Sequence, residues 1–435
     1  MTVRLSRDTV PAALEAGYRP EELRVGVVHL GLGNFHRAHQ AVVFDELARA
    51  GHRDWGICAV APRNAAVVAT LRAQNHRYTV TADSTRLVGA ITETRHAASE
   101  PDAVLARLAD PAVRLVTLTL TEHAYRPDSP MFALLARGIA ARRGAPLTVL
   151  SCDNVTDNGH RVAELVAAAT DAPARRRIDA TVAFPRSVVD RIVPAPTADD
   201  RAALATAYGI DDHACVRTEP YLQWVVERLG DQPPWAAAGV TVTDDVEAYQ
   251  RMKLRVLNAA HSLLAYLALA YRVDTIAGAM AVPDLRAAAG AFQRREALPA
   301  LALPAGEDAY PARVLDRFAD PALRHTARQV AADGSTKLPH RLYPTVAAAR
   351  AAGRRCDLAA LTVAGWLSAV TAAEPVADPA GDRLRDLRRA YPTDTDFASA
   401  ALTGPLAEVA PLVGVYLTEL ADDPAAAVRR ALAAC

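Results

Sequence analysis

The sequence predicts an α/β domain built on a doubly wound parallel sheet, followed by a mostly α-helical domain. Three observations carry the prediction. The first half alternates short β-branched apolar runs with amphipathic stretches. One of those runs ends in a glycine pair that opens a helix. From about residue 245 the texture changes to Ala/Leu/Arg segments of helical length. The boundary is placed near residue 242, giving an α/β domain over 1–242 and a helical one over 243–435.

In chain order, the expected strands are 24–30, 55–60, 114–121, 147–151 and 181–184, each apolar enough to be buried on both faces. Amphipathic stretches at 39–50 and 101–108 lie between them as helices. Residues 246–271 read as one long apolar-rich helix, and further helices are expected at 312–318, 323–332, 359–371 and 424–434.

Composition narrows the function classes. The chain of 435 residues has 49 Lys and Arg against 49 Asp and Glu, so no net charge draws it to nucleic acid or to an anionic membrane surface. No cluster of basic residues interleaved with aromatics is present, which leaves a nucleic-acid role without support. The five cysteines are scattered and never form C-x-x-C, so neither a disulfide framework nor a cysteine zinc site is expected. The N-terminal segment lacks the apolar run of a signal peptide, and charged residues break every long Ala/Leu stretch. A cytoplasmic protein without a membrane span is the expectation.

The glycine pair sits in RVGVVHLGLGNFHRAHQAVVFDEL. A strand running into Gly31-Leu32-Gly33 and then a helix is the layout of a Rossmann-type dinucleotide turn. The first glycine permits the bend and the second lets backbone approach a pyrophosphate. Gly31, Gly33, Asn34 and Phe35 are therefore the candidate cofactor-binding residues. The third glycine of G-x-G-x-x-G is replaced by His36, and a turn without a ligand is the competing reading. The second strand runs into Ala61-Pro62-Arg63-Asn64 without the carboxylate that would bind a ribose 2′-hydroxyl. Arg63 is the candidate for the adenosine end, against the alternative of a solvated loop arginine. NAD is the expected cofactor, with NADP open.

The most informative stretch is Lys253-Leu254-Arg255-Val256-Leu257-Asn258-Ala259-Ala260-His261. On an α-helix at about 100° per residue, His261 lies near 80° and Asn258 near 140° from Lys253. Three polar residues thus share one side of the helix with two leucines. That side either lines a cleft or belongs to an ordinary amphipathic helix. A lysine can act as a base only when neutral, a form favoured by desolvation and nearby positive charge. Asn and His can donate hydrogen bonds to an oxygen that gains negative charge. The set suits alcohol–carbonyl interconversion.

The phrases GLGNFHRAHQA, SCDN, FPRSVVDRIVP, KLRVLNAAHS and DGSTKLP, in that order, resemble the mannitol dehydrogenase family of polyol-specific long-chain dehydrogenases. The resemblance runs from about residue 25 to about 345. It implies metal-independent hydride transfer with a nicotinamide cofactor, in a site between a Rossmann-type and a helical domain. By the same resemblance Lys253 is the catalytic base, Asn154 and Asn258 hold the reacting oxygen, and His261 helps position it. Asp190, Lys337 and, with an ambiguous register, Arg328 are the substrate-binding residues. Taken alone, Asn154 reads as a loop cap, Asp190 as an ion-pair partner of Arg191, and Lys337 as a turn lysine. Where the family often carries a Glu that relays protons, this chain has Gln250, which can orient a water but cannot accept a proton.

The expected substrate is a linear sugar alcohol and its ketose, of the mannitol/fructose type. A keto-uronate is the alternative, and requires a cation for the carboxylate, from Arg328 or from His340-Arg341. A catalytically silent dinucleotide sensor is the reading from a different class. The oligomeric state is not legible.

Overall fold

The computed structural model describes residues 2–142, 144–229 and 232–434. The chain divides into two compact units, residues 1–247 and 248–435.

The first unit is organised by six strands: β1 (Val25–Leu30), β2 (Gly56–Ala61), β3 (Ile91–His96), β4 (Leu115–Leu118), β5 (Leu147–Ser151) and β6 (Val182–Ala183). They form one sheet in the order β3-β2-β1-β4-β5-β6, with every neighbouring pair parallel. This is the Rossmann order, whose crevice lies beyond the carboxyl ends of the strands. Alternate residues enter different cores. Val27, Ile57 and Ala59 pack on one face of the sheet, and Val28, Cys58 and Val60 on the other. Double-sided burial is why these strands are apolar runs.

Strand β3 was not among the expected strands. Its sequence, Ile-Thr-Glu-Thr-Arg-His, is mostly polar because it forms the sheet edge, where Glu93 pairs with Arg95 and Arg107. Two three-stranded sheets were also unanticipated. One joins Tyr78–Thr81, Thr85–Val88 and Val216–Arg217, and the other Ser187–Asp190, Gln223–Glu227 and Thr241–Thr243. The expected helix at 39–50 begins at Gln40. A break at His39 separates α1 (Asn34–Ala38) from α2 (Gln40–Arg49).

The second unit is helical among its described residues. Its centre is the pair Ala259–Ala270 and Asp357–Thr371, both buried on nearly all sides. Gly365 lets the two approach, since a Cβ there would meet Tyr266 Cβ at 2.9 Å. The expected helix at 323–332 is interrupted. A short 3₁₀ turn, Pro321–Leu323, ends on Arg324 at φ +46°, and the α-helix covers only Ala327–Ala331. Among the described residues, no helix is long and apolar enough to cross a membrane.

Candidate active site

In the first unit, the carboxyl ends of β1, β4 and β5 converge on a cavity of about 390 Å³ lined by Gly31, Gly33, Asn34, Phe35, Thr119 and Asn154, among others. Gly31 has φ +119°, and a Cβ on it would lie 2.1 Å from Thr119 O. The bend therefore requires glycine. Gly33 differs: the nearest atom to a Cβ there is Gly31 O at 3.7 Å, so nothing in the chain demands its small size. Space kept open beside a strand-to-helix turn fits the close approach of a dinucleotide pyrophosphate. The two positions should separate on substitution. Gly31→Ala is expected to destabilise the fold by about 1–3 kcal/mol or more through overpacking against backbone. Gly33→Ala should leave the thermal midpoint near wild type and still weaken dinucleotide binding. Equal midpoints for the two variants, or unchanged affinity in Gly33→Ala, would refute the assignment.

His36, in the place of the third glycine, is fully buried and stacks on His29 at 3.4 Å between ring centroids, with the planes 9° apart. The third glycine normally permits close helix–strand packing; here two flat rings serve that contact. His29 is fastened by hydrogen bonds with Thr117 Oγ1 at 2.7 Å and Thr119 Oγ1 at 2.8 Å. Burial pushes its imidazole down to a pKa of about 3.

Asn154 is exposed on the cavity wall, and its loop is rigidly tied. The Asp153 carboxylate accepts from the backbone N–H of Leu120 (3.0 Å) and Thr121 (2.9 Å) and from Tyr125 Oη (2.8 Å). The buried Asn158 donates Nδ2 to Ser187 O at 2.9 Å and accepts from Ser187 N at 3.1 Å. These anchors were missed in the sequence, although the Asx-rich run SCDNVTDN was their signal. Asp190 is buried at the end of Ser187–Asp190. Arg63 is exposed just beyond β2, and the neighbouring Asn64 caps the next helix by accepting from Val67 N at 3.2 Å.

In the second unit, the expected long helix is not α throughout. Val246–Met252 and Ala259–Ala270 flank a π-helical segment, Lys253–Asn258, in which Ala259 N–H reaches back five residues to Leu254 O. A π turn holds more residues per turn than an α-helix, so the angle between residues i and i+5 narrows from its α value without closing. Lys253 and Asn258 therefore lie nearer to one face than at their separation of about 140° on an α-helix. His261 follows Asn258 at i+3 on that face. Lys253 is 8% exposed.

The His261 ring stacks on Phe318 at 4.8 Å and on His325 at 5.8 Å between centroids. Its Nε2 is shielded from solvent and has no hydrogen-bond partner among the described residues. Burial, the neighbouring His325 imidazole and the positive charge of Arg341, Arg317 and Lys337 hold His261 well below the ordinary histidine range. It is neutral at physiological pH.

Lys337 and Arg341 are one turn apart on the helix Gly334–Arg341, which the sequence had also allowed as a turn. Lys337 Nζ donates to Ala332 O at 2.7 Å. Arg341 Nη1 donates to Ser262 Oγ at 3.0 Å and to Asn258 O at 3.4 Å. This helix can approach because residue 334 is glycine, where a Cβ would lie 2.4 Å from both Trp366 Cδ1 and Tyr266 Oη. Arg328 donates instead to the carbonyls of Pro375 (3.1 Å) and Glu374 (3.2 Å). Arg317, Phe318 and His325 were missed by sequence reasoning, since no local pattern marks them. Gln250 is half-buried one turn before Lys253.

A parallel sheet in Rossmann order with a glycine turn, joined in the same chain to a helical unit, is the layout of a two-domain dinucleotide-dependent oxidoreductase. The chain belongs to the mannitol dehydrogenase family: residues 25–237 match the mannitol dehydrogenase Rossmann domain and residues 245–402 the mannitol dehydrogenase C-terminal domain. It is 37% identical over 383 residues to D-mannonate oxidoreductase of Escherichia coli strain K12, covering 78% of this chain and 79% of that one. It is 34% identical over 378 residues to mannitol 2-dehydrogenase of Cereibacter sphaeroides, covering 77% and 79%. The solved ternary complex of Pseudomonas fluorescens mannitol 2-dehydrogenase with NAD and D-mannitol superposes with a TM-score of 0.86 at 30% identity, over 99% of each chain.

Proposed function

We propose that this polyol or sugar-acid oxidoreductase interconverts a secondary alcohol of a linear sugar alcohol and the corresponding ketose, with NAD as the cofactor and Lys253 as the general base. The observation that carries the reading is the π turn Lys253–Asn258, whose geometry supports a shared face for Lys253, Asn258 and His261. NAD, when bound, supplies the hydride acceptor for oxidation. Its fit is supported by the open space at Gly33 and the bend at Gly31. Asn34 and Phe35 are further proposed contacts, and Arg63 is proposed for the adenosine end. With no ribose-binding carboxylate after β2, discrimination against NADP should be weak.

Neutral Lys253 Nζ accepts the hydroxyl proton. Asn258 Nδ2 and an N–H at His261 Nε2 donate to the oxygen as it becomes negative. Asn154 is assigned to the same oxygen by the family resemblance. In ketose reduction the Lys253 ammonium returns the proton. Gln250, being neutral, orients water along the proton's route to solvent. Asp190 and Lys337 are proposed to bind the remaining hydroxyls, with Arg328 the weakest of the proposed contacts because its guanidinium is engaged by carbonyls.

A second reading, a sugar acid as substrate, is favoured by one observation: the positive charges of Arg341, Arg317 and Lys337 all act on His261. A carboxylate is the substrate group that such cations bind most strongly. Steady-state assays with mannitol, arabitol, fructose and fructuronate, and with both cofactors, separate the readings. If the substrate is a sugar acid, Arg341→Ala should lower kcat/KM for fructuronate roughly ten- to a hundred-fold more than for fructose. That ratio corresponds to one charge-assisted hydrogen bond of about 1.5–3 kcal/mol. Equal losses would leave the polyol reading. Dinucleotide binding without turnover on any of the four would refute both and favour a silent sensor.

A further inference from the structure

The second unit contains another π turn, Phe292–Ala297, in which Leu298 N–H reaches back to Gln293 O. π turns make up well under 1% of residues and concentrate at functional sites. One side chain joins the two: Gln293 Nε2 donates to the backbone carbonyl of Val256, inside the Lys253–Asn258 turn, at 3.3 Å. Gln293 is 1% exposed. Only the amide nitrogen can donate to a carbonyl, so the orientation of this amide is determined. Its Oε1 is then buried without a hydrogen-bond partner among the described residues. An unpaired buried amide oxygen is costly, so stability alone would favour an apolar side chain of similar length here.

The cost has a counterpart in what the donor does. In a regular α-helix the Val256 carbonyl is satisfied by the backbone N–H four residues on. A donor arriving from outside the helix competes for that carbonyl and favours an opened ladder. We propose that Gln293 is a positioning residue: it holds the Lys253–Asn258 segment in its wide form and so keeps the Lys253 and Asn258 side chains on one face. The inference rests on the reading of Lys253 as the base. Returning the segment to α geometry would swing Asn258 about 140° from Lys253. Gln293 touches neither substrate nor cofactor; it acts through the backbone of the turn.

Gln293→Met keeps the length and removes both the donor and the unpaired oxygen. The expected result is a thermal midpoint equal to or above wild type, unchanged NAD affinity, KM within threefold, and kcat lower by roughly ten- to a hundred-fold, the scale of an ångström-sized misplacement. A merely structural residue would not lose turnover while keeping stability. In the protein without cofactor, amide hydrogen exchange over residues 253–260 should also differ from wild type. Gln293→Asn, whose amide falls one methylene short, should reproduce the kcat loss and serves if the Met variant does not fold. Wild-type kcat together with wild-type exchange would overturn the proposal, and so would failure of both variants to fold. The Lys253→Ala protein is the control. Full activity there removes the base reading, while the exchange experiment still decides whether Gln293 shapes the turn.

Discussion

Replacing Lys253 by alanine is expected to leave NAD binding intact and to lower turnover by roughly 10²–10⁴-fold, the typical worth of a positioned acid–base group. The loss should appear in kcat and in kcat/KM together, because a base stabilises the transition state rather than the bound alcohol. Lys253→Arg should not recover the activity, since a guanidinium does not deprotonate in a protein. Small primary amines added to the alanine variant should restore part of the rate, with a dependence on the amine's own pKa. An alanine variant within threefold of wild type would remove Lys253 from the mechanism. The burial of Lys253 is what gives the experiment its force. At 8% exposure the residue is shielded from bulk water, so an external base replaces it poorly.

Acid should unfold the protein through its histidines. Burial depresses His29 to about 3 and His76 to about 4, and holds His36 and His261 well below the ordinary range. In the unfolded chain each binds a proton near pH 6.5. The folded form refuses that proton, so the stabilisation is fully present above pH 6.5 and is lost as pH falls towards the folded values. For His29 alone, at about 1.4 kcal/mol per pKa unit, the loss is on the order of 5 kcal/mol by pH 3. Domain stabilities of about 5–15 kcal/mol make that decisive. The buried Asp153 and Asp212 carboxyls, held above their usual range by desolvation, work in the opposite sense and offset part of it. Urea unfolding between pH 7 and 4 should show stability falling by about 1.4 kcal/mol per pH unit for each such histidine. The slope should be shallower in His29→Gln. A stability independent of pH over that range would contradict the buried neutral stack of His29 on His36.

Much of this protein is determined by its sequence alone. Strands buried on both faces must be apolar throughout, so β1, β2, β4 and β5 are legible as runs, and their alternation with helices dictates a parallel sheet. Gly31 is legible because a backbone at positive φ pressed against another strand admits no side chain. The Lys–Asn–His spacing marks the helix that carries the proposed chemistry. The tertiary structure decided what local pattern cannot encode. The polar strand β3 exists because the sheet has an edge to complete, where Glu93 answers to Arg95 and Arg107 rather than to a core. Arg317, Phe318 and His325 meet His261 from segments more than fifty residues away, without any local signature. The register of Lys253 against Asn258 is the clearest case. A period of 3.6 residues, the only one a helical sequence announces, puts the two at opposite edges of one side, and the π turn brings them closer. The turn's Val256 carbonyl accepts from Gln293, a contact across 37 residues of chain that no local pattern encodes.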